Sequence, residues 1–114
     1  MRSVLLTIIM TLISPMVLAH TKVISSVPTA GSVHNSVLSQ IDIQFDEPFI
    51  LTVIRLTDAT TGFDERYRNQ NFNRKNVHQV AIEPLPVGQF TLEWRGLAKD
   101  GHVIKGEFEF SVSN

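Results

Sequence analysis

At 114 residues the chain has room for one domain and not for two. Ten Lys and Arg against eleven Asp and Glu leave a formal net charge of −1, so the balance implies no nucleic-acid or anionic-membrane surface and excludes a strongly basic chain. Cysteine is absent, so neither a disulfide nor a thiolate ligand is available.

In chain order, residues 1–19 read as a secretory leader: Arg2 is a short positive start, residues 4–13 are an apolar run, and Val17-Leu18-Ala19 is a small-residue cleavage pattern. The run is shorter than the roughly 20 apolar residues that a membrane-spanning helix needs. Ser14 and Pro15 then interrupt it, so a removed signal peptide is expected rather than an anchor. Cleavage after Ala19 leaves a mature domain of residues 20–114 that begins with His20. Of the ten basic side chains only Arg2 leaves with the signal, and the mild acidic balance persists. Met1, Met10 and Met16 leave as well, and they are the only methionines. A soft site for Cu(I) cannot then be built from the mature chain.

Short strands follow. Residues 41–45, 90–94 and 107–112 alternate apolar with polar, which puts one face of each in a core. Residues 53–56 and 77–82 are further strand candidates. Turn signals separate them at residues 28–32, 58–62, 84–88 and 100–101. With no helical period and no repeat, a count of about seven short strands predicts an all-β, two-sheet antiparallel sandwich, with a small closed barrel as the alternative. Trp94 is expected to pack between the sheets. Residues 64–76, polar and basic, are expected to form an exposed, solvated loop. His34 and His78, without partners at ligand spacing, are expected at the surface.

Two sites carry chemistry. A histidine at a free N-terminus offers its α-amine and a ring nitrogen, which together close a chelate ring on a metal ion. The triplet Asp100-Gly101-His102 places a carboxylate and an imidazole two residues apart, on one face if the segment is extended. Alone, that triplet reads more readily as a hairpin turn with an exposed histidine. Joined to His20 it completes an amine, two imidazoles and a carboxylate, a set suited to the tetragonal nitrogen and oxygen geometry of Cu(II). Asp100 can serve as a direct donor or by orienting a ligand through a hydrogen bond.

The chain resembles the CopC-type periplasmic copper-binding proteins. The resemblance rests on His20 at the mature start, Ser25-Ser26-Val27-Pro28-Thr29-Ala30-Gly31, Ile43-Gln44-Phe45-Asp46-Glu47-Pro48, and the run from Leu85-Pro86-Val87-Gly88 through Trp94-Arg95 and Lys99-Asp100-Gly101-His102 to Phe108-Glu109-Phe110. It implies an immunoglobulin-like Greek-key β-sandwich holding one Cu(II) through His20, Asp100 and His102. It also implies a role in copper tolerance, or in supplying a CopD-type inner-membrane transporter. Some family members also hold Cu(I) in a methionine-rich loop, and here the sequence departs from the pattern. Glu47 matches an acidic position of the family, although Glu47-Pro48 also reads as a strand terminator.

Three readings compete. A periplasmic Cu(II) carrier or buffer, monomeric and not an enzyme, is favoured because strong ligands stand beside nothing that looks like a substrate cleft. A small histidine-brace copper redox enzyme is disfavoured by the size of the domain and by a carboxylate occupying coordination space that oxygen needs. A metal-free immunoglobulin-like assembly or adhesion module requires His20, Asp100 and His102 to be coincidental.

Overall fold

The computed structural model describes residues 21–69 and 72–114. The expected leader and His20 lie outside the described residues. Seven strands and no helix are present among those described: β1 (Val23–Val27), β2 (Val33–His34), β3 (Gln40–Asp58), β4 (Phe63–Arg68), β5 (Lys75–Ala81), β6 (Gly88–Leu97) and β7 (Val103–Val112). The all-β expectation is met.

The two segments expected as separate strands, residues 41–45 and 53–56, are one strand of 19 residues. The first half of β3 is flanked by β1 and β5, both antiparallel. Its second half is flanked by β4 and β6, and the sheet continues through β7 to the short parallel β2. β3 therefore belongs to both layers of the sandwich. The change of layer falls at Asp46-Glu47-Pro48, all exposed, where the register against β5 shifts between Gln44 and Phe49. Irregular pairing at this point explains how a proline sits within the strand, since no ladder hydrogen bond is needed there.

Alternation places the core. Ile41, Ile43, Phe45, Phe49 and Leu51 point inward at odd positions, whereas Ile54 and Leu56 point inward at even ones. The switch in parity coincides with a second register shift, against β6, between Leu51 and Val53. An inserted residue of this kind bends a strand and reverses the facing of everything beyond it. Beneath the corner, Phe45, Phe49 and Trp94 form an aromatic cluster, with centroids 4.4 Å apart for Phe45–Phe49, 5.0 Å for Phe45–Trp94 and 5.5 Å for Phe49–Trp94. Trp94 is thus a core residue, as its sequence context indicated. Its indole covers Gly106, where any Cβ would overlap the ring.

The segment 64–76 departs from expectation. Residues 64–68 belong to β4, which pairs with Val53 to Asp58 of β3. Its charges belong to an edge strand, where they discourage pairing with other chains, and Phe63 and Tyr67 pack against the core. Asp64 takes a bidentate pair from Arg55, Nε at 2.9 Å and Nη2 at 2.7 Å. Asn69 then ties the chain back by donating from Nδ2 to the Leu51 carbonyl at 2.9 Å.

Candidate metal centre

The Asp100-Gly101-His102 triplet is the connection between β6 and β7, and its geometry is that of a tight turn rather than of extended chain. The Ala98 N–H donates to the His102 carbonyl and the Gly101 N–H to the Ala98 carbonyl, both at 2.9 Å. Gly101 has φ of +86°, the left-handed region that glycine adopts without strain. The turn, not strand pleating, brings the two side chains together. Asp100 Oδ1 accepts from the His102 backbone N–H at 3.1 Å, and Oδ2 accepts from His102 Nδ1 at 2.6 Å.

That pair has a chemical consequence. The hydrogen bond from His102, with its backbone N–H adding to it, holds the Asp100 carboxyl below its ordinary value. An ionised carboxylate only accepts, so His102 Nδ1 carries a proton, and in the neutral ring it is Nε2 that is left as the donor atom for a metal. The two side chains are 81% and 60% exposed, for His102 and Asp100 respectively, so the pair stands at the surface. Carboxylate to Nδ1, with Nε2 free, is the arrangement that fixes the tautomer of metal-binding histidines.

His20 falls outside the described residues, but the chain just after it is well placed. Thr21 is buried, the Asp46 N–H donates to the Lys22 carbonyl at 2.9 Å, and the Lys22 N–H donates to Asp46 Oδ1 at 2.8 Å. Lys22 thus lies against the corner of β3. The D-G-H turn reaches the same corner from the other layer, because Leu97 at its base pairs with Ile50. Between Asp46 and Ile50 lie four steps of β3, at most about 14 Å of extended chain. Glu47 is exposed on this corner. Among the described residues no three His, Asp or Glu side chains gather closely enough to hold an ion by themselves.

The other histidines are elsewhere. His34 is half-buried, with its ring nitrogen 2.9 Å from Ser36 Oγ. His78, expected at the surface, is fully buried. Its Nε2 donates to the carbonyls of Phe49 at 2.7 Å and Lys75 at 3.0 Å, and Nδ1 has no hydrogen-bond partner among the described residues. Burial pushes its pKa below the ordinary histidine value, which keeps the ring neutral. A shallow groove on the outer face of the larger sheet is lined by Arg55, Arg66, Glu93, Arg95, Lys105 and Glu107, without any residue of the D-G-H turn. Asp46 is the residue that the sequence did not single out; its role is visible only once β1 is paired with β3.

Comparison with known proteins gives concordant results. The CopC domain family model matches residues 23–113. The copper transport protein CutJ of Bacillus subtilis (strain 168) is 24% identical over 98 residues, covering 82% of this chain and 18% of that protein, so the chain spans under a fifth of that relative. Among solved structures, CopC from Methylosinus trichosporium OB3b superposes with a TM-score of 0.69 at 21% identity, covering 82% of this chain and 94% of that one. PcoC, a methionine-rich copper resistance protein from Escherichia coli, superposes with a TM-score of 0.64 at 24% identity, covering 83% and 100%. Both likenesses support the all-β sandwich fold. With the family model matched over nearly all of the described residues, the chain belongs to the CopC domain family.

Proposed function

We propose that the chain is exported, that cleavage after Ala19 exposes His20, and that the resulting periplasmic monomer binds one Cu(II) as a carrier or buffer. His20 supplies its amine and a ring nitrogen, and His102 supplies Nε2. Asp100 acts chiefly by orienting His102 and by placing a negative charge beside the ion. The observation that carries the reading is the 2.6 Å contact between Asp100 Oδ2 and His102 Nδ1 in an exposed turn. A histidine that served only the surface would gain nothing from being locked in one tautomer.

Cu(II) heads the divalent affinity order, so nitrogen donors select it over zinc or nickel without further devices. Residues 20–114 contain neither cysteine nor methionine, in contrast to the neighbour described as methionine-rich. Copper reduced to Cu(I) is therefore released to sulfur-bearing acceptors. Release suits a protein that supplies a CopD-type inner-membrane transporter, and the same site also buffers copper. Affinity falls in acid, because amine and imidazole donors bind a metal only when unprotonated.

The intact mass of the exported protein, followed by Cu(II) titration of that form and of one carrying an extra residue before His20, tests the reading. A mass starting at His20, and a steep loss of affinity in the extended form, are expected. Equal binding by the two forms would remove the N-terminal donors from the site.

A further inference from the structure

We propose that Asp46 is a positioning residue for the N-terminal copper donors; this rests on the reading that His20 is the first residue of the mature chain. Lys22 stands opposite Asp46 at the end of the β1–β3 ladder. In a regular antiparallel pair, two such residues exchange both backbone hydrogen bonds. Here only one is of that kind: the Asp46 N–H donates to the Lys22 carbonyl at 2.9 Å. The return bond goes from the Lys22 N–H to Asp46 Oδ1 at 2.8 Å, the side chain taking the place of its own backbone carbonyl. β3 leaves the layer at Glu47-Pro48, immediately beyond this point. The carboxylate thus extends the ladder where the main chain turns away.

The consequence is a first segment fixed before any metal arrives. Thr21 is buried and Lys22 is held at both its N–H and its carbonyl, so neither has to be ordered when copper binds. Without the Asp46 acceptor the last rung opens, and ordering Thr21 and Lys22 is then charged against copper affinity. Asp46 is exposed, so it contributes nothing to the core that its removal would disturb. Its position four residues before Ile50, which pairs with Leu97 at the base of the D-G-H turn, sets the fixed segment against the same corner of β3 that the turn adjoins.

Two substitutions separate positioning from charge. Asp46→Ala removes the acceptor, whereas Asp46→Asn keeps an oxygen for the Lys22 N–H and loses only the charge. In the metal-free mature protein, Asp46→Ala should accelerate amide exchange at Lys22 while leaving Ile43 and Leu92 protected and the thermal midpoint unchanged. Its Cu(II) dissociation constant should rise by about 10–100-fold, the range found for groups that orient ligands without touching the metal. Asp46→Asn should restore most of that affinity, and the Cu(II) electron paramagnetic resonance spectrum should keep the same nitrogen donors in all forms. An Asp46→Ala protein with wild-type affinity and wild-type exchange at Lys22 would overturn the proposal, as would an Asn variant as weak as the Ala variant. The form extended before His20 is run alongside. If wild type binds tightly and the extension abolishes binding, a flat response to Asp46→Ala sinks this proposal alone. If wild type does not bind Cu(II), or the extension has no effect, the reading of the site falls and this proposal falls with it.

Discussion

Replacing Asp100 by alanine removes two acceptors at once, Oδ2 at 2.6 Å from His102 Nδ1 and Oδ1 at 3.1 Å from the His102 N–H. The imidazole then rotates freely, since at 81% side-chain exposure no packing holds it. It also loses the preference for the tautomer that leaves Nε2 as the donor. Loss of such an orienting partner typically lowers metal affinity by about 10–100-fold, and that is the drop expected in Cu(II) affinity here. His102→Ala, which deletes a donor, should cost more than this. Asp100→Asn should fall between wild type and alanine, because its carboxamide oxygen still accepts from Nδ1 without the charge. Competition titration against an amino-acid chelator measures all three, and thermal melts of the metal-free proteins should coincide, because exposed ion pairs contribute little to folding. Asp100→Ala binding as tightly as wild type would refute the orienting role. A loss exceeding that of His102→Ala, with one oxygen donor missing from the spectrum, would make Asp100 a direct ligand instead.

Three further outcomes are expected. Because burial lowers the folded pKa of His78, the unfolded chain takes up a proton first as pH falls. Stability is therefore complete above about pH 6.5 and declines below it, by up to about 1.4 kcal/mol per pH unit, until the folded pKa is reached. Urea midpoints from pH 7.5 to 5 should fall less in His78→Gln than in wild type; parallel slopes would clear His78 of the effect. Gly106→Val drives a side chain into the Trp94 indole and should cost about 1–3 kcal/mol, read as a lower thermal midpoint with shifted tryptophan emission. Finally, the mature protein should surrender its copper to a Cu(I)-specific chelator on reduction, and retention of one Cu(I) would mean that its ligands have been misjudged.

How legible the fold was can be argued residue by residue. Alternation located the strands of the core because buried residues such as Ile41, Ile43, Leu92 and Phe110 sit at period two. The same rule, applied strictly, also places His78 on the inward face, with Val80 and Ile82 two and four positions on. Residue type overruled period there, and wrongly: a histidine whose Nε2 finds two carbonyls is tolerated inside. β4 was missed because its inward residues Phe63 and Tyr67 are separated by Glu65 and surrounded by charge, the composition of an edge and not of a loop. The split of β3 into two strands came from reading Glu47-Pro48 as a stop. Local sequence shows that pairing is interrupted at that point, and only the partners on either side show that the strand continues.

That corner also bears on the proposed site. A metal site needs donors from rigid elements, and the N-terminal donors belong to a chain end that is free unless tied down. β1 and the β6–β7 turn are far apart in sequence, and the one strand adjoining both is β3, at the point where it passes between layers. Below the corner, Phe45, Phe49 and Trp94 interlock, and His78 grips the Phe49 carbonyl at 2.7 Å, so the passage is fixed from beneath. Above it, Asp46 secures Lys22. The D-G-H motif is readable because it is contiguous, whereas its proposed partner His20 is suggested only by the resemblance and the cleavage pattern, and lies outside the described residues. Nothing in the spacing between residues 20 and 102 predicts the pairing that the proposed site requires. In the proposed site their approach depends on a strand changing sheets between Phe45 and Ile50, so substitutions that stiffen or straighten this corner, and not only those at the donors, are expected to weaken copper binding.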